Sequence, residues 1–129
     1  MAIRKQLSVT MENRPGTLAR MSSALAEKKV NILALMSMEH GGQSVVRIVV
    51  DKLPAAKKAL GAIGYAYTEE QVLATKLPNR PGTLAAVAQK LGDAGVNIEY
   101  AYYGAEVGSA QVLLLLAVSD FATGGKVVR

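Results

Sequence analysis

Asn13-Arg14-Pro15-Gly16-Thr17-Leu18 brings together groups suited to holding a small zwitterion. An asparagine amide donates to a carboxylate and accepts from an ammonium group. A glycine lets a ligand come close to the backbone. Where a Pro-Gly turn runs into a helix, the first amides, here those of Gly16, Thr17 and Leu18, have no helical acceptors and sit at the positive end of the helix dipole. A carboxylate suits that end, and a free α-amino acid offers both charges at once. The hexapeptide returns letter for letter as Asn79-Arg80-Pro81-Gly82-Thr83-Leu84, and Val30-Asn31-Ile32 returns as Val96-Asn97-Ile98 at the same offset of 66 residues. Residues 13–32 and 79–98 share 11 identities, so the chain holds two copies of one module. Modules repeated at such a period stack or pair.

Alone, such a turn more often serves only as punctuation at a helix start. Asn31 and Asn97 add a geometric constraint. A helix of about 13 residues rising about 1.5 Å each puts Asn13 and Asn31 roughly 20 Å apart, so they cannot hold the same small ligand. If the copies pair about a pseudo-two-fold axis, the Asn13 loop can meet Asn97 and the Asn79 loop can meet Asn31. The competing reading of both asparagines is a turn residue ahead of a strand.

The surrounding pattern supplies the elements that must position these residues. Gln6 to Met11 alternates, with Leu7, Val9 and Met11 on one face, which is the period of a half-buried strand. Pro15 is pre-set for a first helical position, so a helix is expected from there to about Lys29, with Leu18, Met21 and Leu25 at helical spacing. Asn31 to Met38 reads as a strand, His40-Gly41-Gly42 as a hairpin turn and Ser44 to Val50 as its partner. Pro54 opens a second helix that faces Ala56, Ala59, Leu60 and Ile63 inward, and Tyr65 to Thr68 gives a short fourth strand. The second copy repeats the plan through a strand at 71–77, a helix from Pro81 to about Ala94 closed by Gly95, and a hairpin from Asn97 to Leu116. Nothing in it corresponds to the fourth strand, and Thr123-Gly124-Gly125 makes a poor helix interior. A short or frayed last helix and an exposed or partner-covered sheet edge are therefore expected.

The order βαββαβ, taken twice, predicts an α+β protein of two ferredoxin-like modules in tandem, residues 1–68 and 69–129. Each has an antiparallel sheet with its helices on one face, and the second lacks a full last strand. Modules of about 65 residues are near the small end for self-supporting cores. Half of the residues are hydrophobic, with one Phe and no Trp, so the cores must be aliphatic. The absence of Cys removes disulfides, thiolate metal sites and cysteine nucleophiles and fits a reducing compartment. With no apolar leader and no run long enough for a bilayer, a cytoplasmic protein without membrane contact is expected.

The net charge of +5 raises a nucleic-acid reading, but the fifteen basic residues are scattered rather than gathered in a stripe. Tyr100 and Tyr102 share a strand face on which bases could stack, yet the aromatic signature of RNA-recognition sheets is missing. The tyrosines are expected to line the seam between copies or to pack in the core, and nucleic acid is not an expected partner. The single histidine, His40, falls in a turn. No nucleophile and base stand at an informative spacing, and no paired carboxylates, metal-ligand cluster or phosphate loop is visible. No catalytic residue, metal or cofactor is expected.

The repeated turn, the Val-Asn-Ile strand start and the βαββαβ order together resemble the ACT domain, a small regulatory module that binds amino acids and controls metabolic enzymes. The resemblance covers nearly the whole chain, twice. Locally it is similar to serine-sensing ACT domains, in which ligand lies between the first loop of one domain and the second-strand region of its neighbour. That implies one site from Asn13, Arg14, Pro15, Gly16, Thr17 and Leu18 with Asn97. It implies a second from Asn79, Arg80, Pro81, Gly82, Thr83 and Leu84 with Asn31. The resemblance further implies a non-catalytic amino-acid sensor that self-associates, with a dimer as the expected homo-oligomer, and a metabolic enzyme as a further partner. Met36, Met38, Tyr100 and Tyr102 would shape side-chain specificity. The short loop and first helix also resemble the regulatory subunit of acetolactate synthase, which leaves open an adaptor that works through protein contacts without its own ligand.

Overall fold

The computed structural model describes residues 2–128. Its elements run β1 (Ala2–Glu12), α1 (Thr17–Glu27), β2 (Ile32–His40), β3 (Gln43–Val50), α2 (Leu53–Ala62), β4 (Ala66–Pro78), α3 (Thr83–Asp93), β5 (Ile98–Tyr102), β6 (Gln111–Val118) and α4 (Phe121–Val127). The chain divides into two compact units. The first is Lys5–Glu70, and the second joins the stretch ending at Arg4 to the chain from Gln71 onward.

In the first unit β3 pairs antiparallel with both β1 and β2, with Leu7 opposite Ile48 and Met36 opposite Arg47. The hairpin between β2 and β3 closes through Gly41 and Gly42, both at positive φ, as a two-residue turn requires. The alternation read from the sequence holds, since Leu7, Val9 and Met11 are buried against Met21 and Leu25 of α1 and Leu60 of α2. Gln6, on the opposite face, is also fully buried, and its amide donates to Glu70 Oε1 at 3.3 Å. Arg47 donates to the same oxygen at 3.3 Å, so a polar cluster lies where alternation predicted a solvated residue.

In the second unit β6 pairs antiparallel with β4 and β5, with Leu73 opposite Leu116. Leu73, Leu114 and Leu116 pack with Val87 and Leu91 of α3. At the end of α3, Gly95 turns left-handed at φ 72. Its amide donates to the Gly92 carbonyl at 3.0 Å, and that of Val96 to the Leu91 carbonyl at 2.9 Å. The same closure ends α1, but there the left-handed residue is Lys29, at φ 58.

Two differences from the sequence reading concern strands. The expected strands at 65–68 and 71–77 are one strand, β4, because no glycine or proline interrupts Tyr65 to Leu77. β1 begins at Ala2 rather than near Gln6. Its residues up to Arg4 belong to the second unit, and β1 is the neighbour of β4 in the sheet order. The position of the second module's missing fourth strand is thus taken by the start of the chain, and the edge expected to be open beside β4 is not open. The last helix is short, as expected, but Gly124 in it is buried against the sheet.

Candidate functional site

At the first loop, the Thr17 amide donates to the Arg14 carbonyl at 3.4 Å, which closes a turn over Arg14-Pro15-Gly16-Thr17. Gly16 has φ 92 and ψ −14. The third position of a type II turn lies near +80 and 0 and calls for glycine, and proline favours the second. Pro15 is therefore a turn residue and not the first helical residue; α1 starts two residues later than expected, and the Thr17 amide is used by the turn. Thr17 is buried, with its hydroxyl 2.8 Å from the Glu12 carbonyl and 3.1 Å from that of Arg14, tying the strand end to the turn. Asn13, Arg14, Pro15, Gly16 and Leu18 are exposed. The Ser44 hydroxyl donates to Asn13 Oδ1 at 3.3 Å, and the exposed Arg14 guanidinium pairs with the Glu12 carboxylate.

Beside this loop the first unit contains a cavity of about 320 Å³, walled by Thr10, Glu12, Arg14, Thr17, Arg20 and Tyr65. Its size is near the lower end of ligand pockets, which run from about 300 to 1,000 Å³. The Tyr65 hydroxyl donates to the Thr17 carbonyl at 2.9 Å, clasping the turn before β4 onto the start of α1. The Arg20 guanidinium lies over the Tyr65 ring, 5.5 Å from its centroid, within cation–π range. Of these six, sequence reasoning identified Arg14 and Thr17. Arg20 stands one turn after Thr17, and that i, i+3 spacing was a usable signal. Tyr65 is 48 residues from Thr17, and no local pattern links them.

The second loop repeats the backbone. Gly82 has φ 93 and ψ −14, and the Thr83 amide donates to the Arg80 carbonyl at 3.5 Å. The Thr83 hydroxyl lies 3.1 Å from the same carbonyl, while Arg80, Pro81, Gly82 and Leu84 are exposed. Asn79, however, is used within the fold. Its Nδ2 donates to the carbonyls of Glu106 at 3.3 Å and Ser109 at 2.9 Å, holding the loop between β5 and β6.

Asn31 and Asn97 start β2 and β5. The Asn31 backbone N–H donates to Asp51 Oδ1 at 2.8 Å, and the Asn97 backbone N–H to Ser119 Oγ at 2.9 Å, while Asn97 Nδ2 reaches Glu99 at 3.4 Å. In the first unit Asn13 contacts Ser44 at one end of β3 and Asn31 contacts Asp51 at the other. Seven residues of strand at about 3.3 Å each separate them by roughly 23 Å. Within a unit, then, the loop and its own asparagine lie at opposite ends, as helix length requires. Met36, Tyr100 and Tyr102 are half-buried, and Met38 is exposed.

Among the described residues no three His, Cys, Asp or Glu side chains gather as a metal site would. His40 is exposed as the last residue of β2. No helix is long and apolar enough to cross a membrane.

Two units, each with a glycine turn of nearly the same backbone between a strand and the following helix, make a pair of ACT domains: the family model described as an ACT domain pair matches residues 1–123, and the chain belongs to that family. Among solved structures it is similar to protein BT0572 from Bacteroides thetaiotaomicron, at 31% identity and a TM-score of 0.91, covering 98% of this chain and 86% of that one. It shares its fold with the regulatory subunit of aspartate kinase from Thermus thermophilus, at 16% identity and TM-score 0.74, over 100% of this chain and 94% of the other. The regulatory subunit of aspartate kinase from Thermus flavus matches at 16% identity and TM-score 0.64, over 98% and 93%. No curated protein matches the sequence significantly.

Proposed function

We propose that this chain is a non-catalytic regulatory protein that senses a free amino acid at its β1–α1 and β4–α3 loops and passes that signal to a metabolic enzyme, self-associating as it does so. The observation that carries the reading is the glycine turn, formed twice with nearly identical backbone angles and each time opening an 11-residue helix. Helix dipole and N-terminal amides favour a carboxylate there, and Asn13 supplies an amide beside it. The fold shared with regulatory subunits of aspartate kinase supports the same direction.

Thermal shift against the twenty amino acids tests this. A ligand present at 100 times its dissociation constant stabilises the folded state by about 2.7 kcal/mol. If none of the twenty moves the transition, the sensor reading fails. Coupling between a loop and the other copy's asparagine is measured by a double-mutant cycle on Asn13→Ala and Asn97→Ala, in which non-additive binding losses would assign Asn97 to the first loop's ligand. A reading as an adaptor that works through protein contacts alone is favoured by Leu33 and Leu35 on β2, which are 40% and 42% exposed. Enzyme binding that no amino acid alters would select it.

A further inference from the structure

We infer that the two copies are unequal: the first alone holds a ligand, in the cavity beside its loop, and that ligand is a dicarboxylic amino acid of net charge −1. The inference rests on the amino-acid reading above and narrows it to one site and one charge class. The two loops share a backbone, so the difference lies in what surrounds them.

In the first copy the Asn13 carbonyl oxygen is oriented by Ser44, and its Nδ2 makes no hydrogen bond among the described residues. In the second, both donors of the Asn79 amide are engaged by the carbonyls of Glu106 and Ser109. Turning that amide toward a ligand would release a loop. At the offset of 66, Arg20 aligns with Ala86, Glu12 with Pro78 and Thr10 with Lys76, so the Arg20 cation, the Glu12 carboxylate and the Thr10 hydroxyl of the first cavity have no equivalents in the second copy, whereas Arg14 and Thr17 recur as Arg80 and Thr83.

The charges in the cavity set the class of ligand. Glu12 and Arg14 pair and cancel. Arg20 has no carboxylate partner among the described residues, and its guanidinium is held over the Tyr65 ring. The cavity therefore carries one uncompensated positive charge. A neutral zwitterion would leave it uncompensated and a basic amino acid would add to it, whereas a dicarboxylic amino acid cancels it. Its ammonium group has Glu12 as acceptor. One carboxylate has Arg20, whose planar fork suits bidentate pairing, and the other has Arg14 or the Asn13 amide. A cavity near 320 Å³ has room for a molecule of that size.

Isothermal titration of the full chain with glutamate, aspartate, glutamine and lysine tests both parts. The expected result is one ligand per chain, glutamate or aspartate bound at least tenfold more tightly than glutamine, and no binding of lysine. Arg20→Ala should lose at least tenfold in affinity and Arg20→Lys less; Arg20 is exposed, so both variants keep the fold, which circular dichroism checks. Two equivalents per chain, equal affinity for glutamate and glutamine, or unchanged affinity in Arg20→Ala would each overturn the inference while leaving amino-acid sensing intact. Binding of none of the twenty amino acids would remove both.

Discussion

Alanine placed at Gly124 and at Gly125, one at a time, should move stability in opposite directions. Both residues lie in α4, where helix propensity alone favours alanine by up to about 1 kcal/mol. At Gly125 a new Cβ would meet only Ile3, at 3.9 and 4.0 Å, which is ordinary contact, so the propensity gain should survive as about 0.5–1 kcal/mol. At Gly124 the same methyl would lie 3.2 Å from Leu73 Cδ1 and 3.3 Å from Val118 Cγ2, with Leu91 Cδ2 at 3.6 Å behind. Leu73 and Leu91 are fully buried and Val118 nearly so, leaving no open side toward which the three can retreat. Overpacking of this kind costs about 1–3 kcal/mol, which outweighs the propensity term and leaves a net loss of up to about 2 kcal/mol. Urea unfolding followed by circular dichroism reads both variants, with an unchanged m-value showing that the native state rather than the denatured ensemble moved. A Gly124→Ala protein more stable than the parent would refute the packing argument. A Gly125→Ala protein less stable by more than about 1 kcal/mol would refute the claim that its space is open.

Lys29 adopts the left-handed geometry that its counterpart Gly95 adopts, and that geometry costs a non-glycine residue about 1–2 kcal/mol. Lys29→Gly should therefore stabilise the fold by a net of about 0.5 kcal/mol after the larger chain entropy of glycine is subtracted, read as a higher melting temperature. Thr17→Val keeps the side-chain volume but removes the hydroxyl bonded to the Glu12 and Arg14 carbonyls, and should cost about 1 kcal/mol in denaturant unfolding. Asp120 caps α4, and its carboxyl is held below the usual carboxylate range by the Thr123 amide first and the Thr123 hydroxyl second. Because the folded pKa is depressed, the contribution is present above about pH 4 and is lost as pH falls through Asp120's own lower value. The melting-temperature gap between the parent and Asp120→Ala should close over that range, and a gap that persists under full protonation would refute the assignment.

Much of this was legible because it is local. The duplicated turn announced two modules, the alternation of Leu7, Val9 and Met11 marked the buried face of β1, and Gly41-Gly42 marked the hairpin. Pro15 misled by two residues, since proline suits the second position of a type II turn as well as it suits a helix start, and only the angles at Gly16 decide between them. Asn13 and Asn79 are the same letter in the same hexapeptide, yet their side-chain amides differ in use because the β5–β6 loop of the second copy reaches back to Asn79.

By itself the sequence determined the family, the repeat and the presence of a turn before each first helix, because turn chemistry and hydrophobic period depend on neighbours along the chain. Tertiary structure decided the rest. It assigned the first residues of β1 to the second unit, brought Tyr65 onto Thr17 and under Arg20, and left one cavity cation without a carboxylate. Those relations join residues far apart in the chain, Thr17 and Tyr65 by 48 positions, and their energies depend on distances that no sequence period encodes.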